Sequence, residues 1–265
     1  MRPLVSSLVW LSGTLLAPAL MAQTPPDTAA DCPHPFGLYD NTELVYQRQD
    51  ERGKLLGTLR QRVVNLGSEQ NKKQTLTTNT VLLKSGSYNA KNRLLYLRDL
   101  TFRCRRDTAF TDGLAQLNPE QLSSFRDRIL TYSPTPLAWP NQPTVGSELP
   151  DGGISVDVRS SAVHIAEVYA KVQKRKVTGQ ESITTPAGTF ACFKVEAEQE
   201  SATVARADMV LRTTTRLVDY YSPAVGLVRT ELYDKKGRLT EVRLLTAINK
   251  GGQTVDKVKY KVKKS

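Results

Sequence analysis

Between Arg206 and Tyr221 the chain changes character at every second residue, and that period restricts the fold more than any other feature. Ala207, Met209, Leu211, Thr213, Thr215 and Leu217 fall on one side of an extended backbone, while Arg206, Asp208, Arg212 and Arg216 fall on the other. Side chains alternate across a strand, so this pattern marks an antiparallel sheet packed on one face and wetted on the other. Other strand-like segments surround it. Glu43–Gln49 and Leu55–Leu66 flank Asp50-Glu51-Arg52-Gly53, which fits a type I turn closing on a left-handed glycine. Asp234-Lys235-Lys236-Gly237 repeats the device between Val225–Tyr233 and Leu239–Ile248, as shared turn chemistry and not as a duplication. Lys73–Lys84 and Leu94–Cys104 form another pair, joined through Ser85–Asn89, and Ala162–Lys176 is a long run with apolar residues on both faces. Arginine and lysine spread along the strands discourage edge-to-edge pairing between molecules.

One segment has a different period. Asn118 is a good N-cap, Pro119 suits the first helical position, and Gln121 falls where a capping box places its third residue. Leu122, Phe125, Ile129 and Leu130 then recur as one apolar stripe, expected to plug or cover the sheet. This helix must end before Ser133-Pro134-Thr135-Pro136. Residues 131–153, with five prolines and three glycines, read as a long irregular connection. The strand pattern then resumes unchanged. The expected fold is all-β: a strongly curved antiparallel sheet, or an open or closed β-barrel, with one short helix, after a cleaved signal peptide.

The start of the chain supplies that signal. Met1-Arg2-Pro3 is cationic, Leu4–Leu16 is apolar, and Ala17–Ala22 is rich in small residues, a secretory signal too short to be a membrane span. Cleavage is expected after Ala22, with Ala19 as the alternative. Residues 23–35 then form an extended leader, 36–249 a single β-rich domain, and 250–265 a basic disordered tail. A periplasmic or secreted location follows, with no transmembrane helix in the mature protein and no nucleic-acid partner. Cys32 follows Ala-Ala-Asp well past the apolar run, so it is not a lipoprotein cysteine. Three cysteines in an oxidising compartment allow one disulfide and one thiol. Cys192 sits within the strand-like run Thr189–Val195, whereas Cys32 and Cys104 each lie beside an element boundary. We expect Cys32 to pair with Cys104, the alternative being three free thiols.

The net charge of +11 is concentrated at one end. Six lysines and one aspartate give the segment 250–265 a charge of +5 and Arg2 carries +1, leaving +5 on 23–249, ordinary for a soluble domain. The chemistry of catalysis is sparse. His34 and His164 are the two histidines, too few for a zinc site of the usual kind, and no metal or cofactor is expected. His34 lies between two prolines, and His164 reads as a hydrogen-bonded strand residue. There is no Gly-x-Ser-x-Gly elbow and no phosphate-cradling glycine loop, and Asp107–Gly113 lacks the alternating acids of a calcium loop.

Several segments together resemble a known group. They are Cys32-Pro33-His34-Pro35-Phe36, Thr42–Tyr46 with its Asp50–Gly53 turn, Gly179–Val195 with Pro186-Ala187-Gly188-Thr189-Phe190, and Tyr220–Glu231 with Gly226-Leu227-Val228-Arg229. Over roughly 32–248 the chain resembles the TapB-like family of exported bacterial proteins of unknown function, related to other periplasmic domains of unknown function. The resemblance implies a curved, mostly antiparallel sheet or open barrel in the cell envelope, and it supplies no catalytic residues.

The functional expectation is a non-enzymatic binding or structural module whose concave sheet holds an apolar or extended ligand, such as a lipid, or an envelope partner. Tyr169, Phe193, Tyr220, Tyr221 and Tyr233 are the expected lining residues. One rival is a polyanion-binding adhesin using the basic strand faces and tail. The other is an envelope hydrolase with an unmarked carboxylate pair, which would show two pocket carboxyls of separated pKa.

Overall fold

Alternation becomes sheet almost everywhere the sequence carries it. The computed structural model describes residues 32–206 and 209–251, so the expected signal peptide, most of the expected leader and the lysine-rich segment beyond Gly251 lie outside the described residues. Fourteen antiparallel strands form one continuous sheet: β1 Glu43–Gln49, β2 Leu55–Gln70, β3 Thr77–Asn89, β4 Leu94–Arg105, β5 Thr108–Thr111, β6 Ile129–Thr135, β7 Leu137–Pro140, β8 Glu148–Leu149, β9 Gly152–Ser160, β10 Val163–Thr185, β11 Gly188–Arg206, β12 Met209–Ser222, β13 Gly226–Tyr233 and β14 Leu239–Asn249. Thirteen of them follow the order β6-β9-β10-β11-β12-β13-β14-β1-β2-β3-β4-β5-β7, and β8 pairs only with β10. The sheet curls into a barrel that is closed except for one seam, between β6 and β7.

Those two edge strands are consecutive in the chain, separated by Pro136. Proline has no N–H to give a ladder and fixes φ, so the strand breaks there and changes partner, from β9 before Pro136 to β5 after it. The expected irregular connection over 131–153 is therefore mostly strand. Pro134 and Pro140 sit in edge strands, where a missing N–H costs no ladder bond.

Turn chemistry does what the sequence implies. Asp50 Oδ1 accepts from the N–H groups of Arg52 (3.0 Å) and Lys54 (2.8 Å), and Gly53 has φ +77°. Asp234 Oδ1 accepts from Lys236 (2.8 Å) and Arg238 (3.0 Å), and Gly237 has φ +74°. The β3–β4 turn is displaced from its expected place. Ser85–Asn89 is strand, and Asn89 Oδ1 holds the turn that follows by accepting from Lys91 and Arg93. The helix forms as a 3-10 helix over Pro119–Phe125, with Asn118 accepting from Glu120 N. It is shorter than the apolar stripe suggested, because Ile129 and Leu130 belong to β6. Leu122 and Phe125 pack with Leu117 against Ile154, Val156, Val168 and Ala170, so the segment does cover the sheet. Two shorter 3-10 turns occur at Pro35–Gly37 and Gly113–Gln116.

β10 has 23 residues and would run about 75 Å if straight. Register shifts at Gln173/Lys176 and Val177/Gly179 bend it, and Lys174 takes φ +54° at the bend. Arg175 enters the core there with 1% exposure, donating to Pro150 O (2.8 Å) and Ala138 O (2.9 Å) above the Trp139 ring. Burial lowers its pKa to about 10 against the opposing pull of Asp219. Trp139, Tyr221 and Phe193 stack beside it and fill one end of the barrel.

Cys32 and Cys104 form a disulfide, with Cα atoms 5.9 Å apart across 72 residues. Cys192 is a free buried thiol, 3% exposed. Burial, and then the charge of Glu181, push its pKa up to about 11. The folded protein is accordingly expected to give no reaction with a thiol-specific disulfide reagent at pH 8, and one equivalent after unreduced unfolding. A full equivalent from the folded state would contradict this burial. Among the described residues no helix is long and apolar enough to cross a membrane.

Candidate functional site

Strand register places the inward side chains in layers. Deepest are Val63, Leu83 and Leu100, neighbours across β2, β3 and β4. The next layer is Leu44, Gln61, Ser85 and Arg98, followed by Leu245, Tyr46, Leu59, Ser87 and Tyr96. Further along, Asp219, Thr230, Arg243 and Arg48 align across β12, β13, β14 and β1. A barrel of about eight strands is just filled by its own side chains. Thirteen strands enclose more space, and a cavity of about 830 Å³ remains above the packed layers. Phe36, in the 3-10 turn Pro35–Gly37, lies at its base, and Glu120, Gln121 and Phe125 of the longer 3-10 helix line it from the side. Leu95, Met209 and Leu211 line it where the barrel opens, and all three are exposed.

The wall is mixed in character. Arg48 gives two hydrogen bonds to Glu241, Nε–Oε1 at 2.9 Å and Nη2–Oε2 at 2.7 Å, and Arg243 Nη2 reaches Glu241 Oε1 at 3.5 Å. Burial opposes the Glu241 carboxylate, but the Arg48 bonds and the Arg243 charge outweigh it and hold its pKa below the usual value. Asp219 is the reverse case. Burial raises its pKa in spite of the hydrogen bond it accepts from Thr230 Oγ1 at 2.6 Å and the charges of Arg175 and Arg243. Arg98 donates to the carbonyls of Leu114 (2.7 Å) and Leu117 (2.9 Å) and stacks on Tyr96. Burial lowers its pKa, and Arg243 is close enough to add to that shift. Among the described residues, the buried side-chain atoms with no hydrogen-bond partner are Ser87 Oγ, Arg98 Nε, Gln121 Oε1, Arg229 Nε and Arg243 Nε. All five belong to residues that line this cavity.

The aromatic residues expected to line a concave site lie elsewhere. Tyr221 and Phe193 belong to the packed end of the barrel, where Tyr221 Oη donates to Pro140 O at 2.7 Å. Tyr169, Tyr220 and Tyr233 are on the outer face: Tyr169 bonds Glu200 at 2.7 Å, Tyr220 packs with Cys192, Val218 and Val228, and Tyr233 bonds Glu231 at 2.6 Å. The reason is parity. Tyr220 shares its face with Arg212 and Arg216, whereas the cavity takes the odd-numbered residues Met209 to Asp219. The charged residues of the cavity wall were missed, although parity also marks them. Arg48 alternates in step with Leu44 and Tyr46, Arg98 with Leu100 and Phe102, and Arg243 with Leu245. A charge on the apolar parity of a strand is the available signal. His164 bonds Asp157 at 2.6 Å on an exposed surface, and His34 packs edge-on against Tyr39. Among the described residues no group of three or more His, Cys, Asp or Glu side chains is placed to hold a metal.

The family model described as DUF3108-like matches residues 40–245. Among curated proteins none matches the chain. Two solved structures share the fold. One is a candidate lipoprotein from Parabacteroides distasonis, 24% identical with a TM-score of 0.61, the match covering 82% of this chain and 99% of the other. The second is a candidate exported protein with a YmcC-like fold from Bacteroides fragilis, 19% identical with a TM-score of 0.60, covering 83% of this chain and 100% of the other. At these identities the likeness is one of fold alone.

Proposed function

We propose that this chain, which belongs to the DUF3108-like family of unknown function, is an exported envelope protein that binds one small amphipathic molecule inside its barrel. The observation that carries the reading is the cavity of about 830 Å³ with its mixed wall, within the range of about 300–1,000 Å³ usual for small-molecule sites. Export is supported by the Cys32–Cys104 disulfide, which suits an oxidising compartment, and by the descriptions of the two structural neighbours. The finer TapB-like assignment and a periplasmic location belong to the same proposal. Catalysis is not part of it. Asp219 and Glu241 do have pKa values moved in opposite directions, the pattern a hydrolase would use. However, Glu241 has both oxygens committed to Arg48, and Asp219 is sunk beside Thr230. The adhesin reading draws on the basic strand faces and on a tail that lies outside the described residues.

Native mass spectrometry on mature protein taken from its own envelope fraction, with lipid extraction alongside, tests the proposal. The expected result is a bound amphiphile released on unfolding. A ligand-free mass, joined to failure of the purified protein to take up the neutral fluorescent probe N-phenyl-1-naphthylamine, would overturn it.

A further inference from the structure

We infer that the cavity selects an amphiphile with one anionic head of the fatty-carboxylate type, its head among Arg98, Arg243 and Ser87 and its chain toward Leu95, Met209 and Leu211. The inference rests on the binding proposal above and adds the ligand's chemical class.

Charge is the first argument. Arg48, Arg98 and Arg243 all line the cavity. Glu241 is taken up by Arg48 and meets Arg243 only at 3.5 Å, and Arg229 is occupied by Glu231. Glu120 is an exposed residue at the margin of the cavity. Arg98 has backbone carbonyls and the Tyr96 ring as direct partners and no ion pair among the described residues, the Asp112 charge acting on it without contact. The wall therefore carries unbalanced positive charge centred on Arg98, with Arg243 near it. Asp219 accepts from Thr230 Oγ1 at 2.6 Å and lies near Arg175 as well as Arg243, so it makes no ion pair with Arg98.

Hydrogen bonding is the second argument, and it is independent of the first. Ser87 is 1% exposed, lines the cavity and has an unpartnered Oγ, and Arg98 Nε and Arg243 Nε are also buried and unpartnered. Ser87 lies one step along the β3–β4 ladder from Arg98, because Ser87 pairs Tyr96 and Ser85 pairs Arg98. Ser87, Arg98 and Arg243 each bring a buried, unpartnered donor to the cavity wall, and a carboxylate reaching them accepts charge-assisted bonds, which are the strong ones. A neutral apolar ligand would leave each donor buried and unpaired.

The other end of the ligand meets the mouth of the cavity. Leu95, Met209 and Leu211 line the opening and stay largely exposed, Leu211 at 77%. An alkyl chain running outward from the donors covers them, while an inorganic anion does not.

Displacement of N-phenyl-1-naphthylamine from the full mature chain at pH 8 tests this, with dodecanoate, 1-dodecanol, acetate and inorganic phosphate as competitors. Dodecanoate is expected to displace the probe at about tenfold lower concentration than dodecanol, the ratio one charge-assisted bond supplies, and to keep most of that advantage as salt is added, because buried pairs are little screened. Acetate and phosphate are expected to displace nothing. Arg98→Gln is expected to bring dodecanoate level with dodecanol. Ser87→Ala, a milder change, should narrow the gap if the arginine variant does not fold. Equal displacement by acid and alcohol in the wild type overturns the anionic head while the binding proposal stands. Displacement by acetate or phosphate alone overturns the amphiphile in favour of a small-anion site. No probe uptake removes the binding proposal itself.

Discussion

Replacing Cys32 and Cys104 together by alanine is expected to lower the stability of the folded protein by about 4 kcal/mol, because the bond closes a long loop. The two residues are 72 apart in sequence, and the loop they close contains β1, β2, β3 and most of β4. Without the cross-link the unfolded chain regains that loop's freedom, while the native contacts change little. The bond also has a local role. It anchors the leader, whose Cys32 N–H donates to Arg106 O at 3.1 Å and whose carbonyl accepts from Asn79 Nδ2 at 2.7 Å. That anchor seats Phe36 edge-on against Phe102 at the base of the cavity. Urea unfolding of the double variant beside the oxidised wild type measures the effect, and the reduced wild type should fall with the variant. A shared midpoint for all three would show that packing alone holds the leader in place.

How much of this was legible in the sequence depends on whether a feature is local. The Asp50–Gly53 and Asp234–Gly237 turns were, since an Asp side chain capping the turn and a glycine at positive φ act over five residues. The β12 face was legible too: Met209, Leu211, Thr213, Thr215 and Leu217 do share one side, and it is the side that lines the cavity. What could not be read was which of two faces would be enclosed, because closure depends on thirteen strands meeting in order. Choosing lining residues by aromatic character therefore selected Tyr220 and Tyr233 on the outside, and passed over Arg98 and Arg243. The prolines of 131–153 misled for a related reason. Proline argues against a central strand, but Pro134 and Pro140 lie at the two edges of the sheet, a position that exists only once the barrel has curled. Arg175 has no local signal at all. Its partners, the carbonyls of Ala138 and Pro150 and the ring of Trp139, reach it through the bend in β10.

The seam where the barrel fails to seal carries the second large effect, and three glycines separate its causes. Gly113, in the 3-10 turn packed on β6, β9 and β10 beside the seam, has no room for a side chain: an added Cβ would come within 1.8 Å of Gly153 O and 2.5 Å of Thr135 O. Its φ is not left-handed, so Gly113→Ala is a purely steric change. Gly153 combines both problems, with φ +135° and a Cβ position 2.1 Å from Ala170 O. Gly53, in the β1–β2 turn, has φ +77° and nothing within 4 Å, which isolates the conformational part. Gly53→Ala is expected to cost about 1 kcal/mol, the penalty of a left-handed alanine. Gly113→Ala is expected to cost about 3 kcal/mol through displaced backbone, and Gly153→Ala about 4 kcal/mol or more, since strain and overlap add. The neighbours that must move are backbone carbonyls of β6, β9 and β10, which cannot turn aside as a flexible side chain would. Gly113 also precedes Leu114, Ala115 and Leu117, so the displacement carries the carbonyls that hold Arg98. Gly113→Ala should therefore weaken probe uptake as well as stability, while Gly53→Ala leaves uptake at the wild-type level. Equal midpoints for the Gly53 and Gly113 variants in urea would mean that the seam yields, and that the barrel is closed by less than its backbone packing implies.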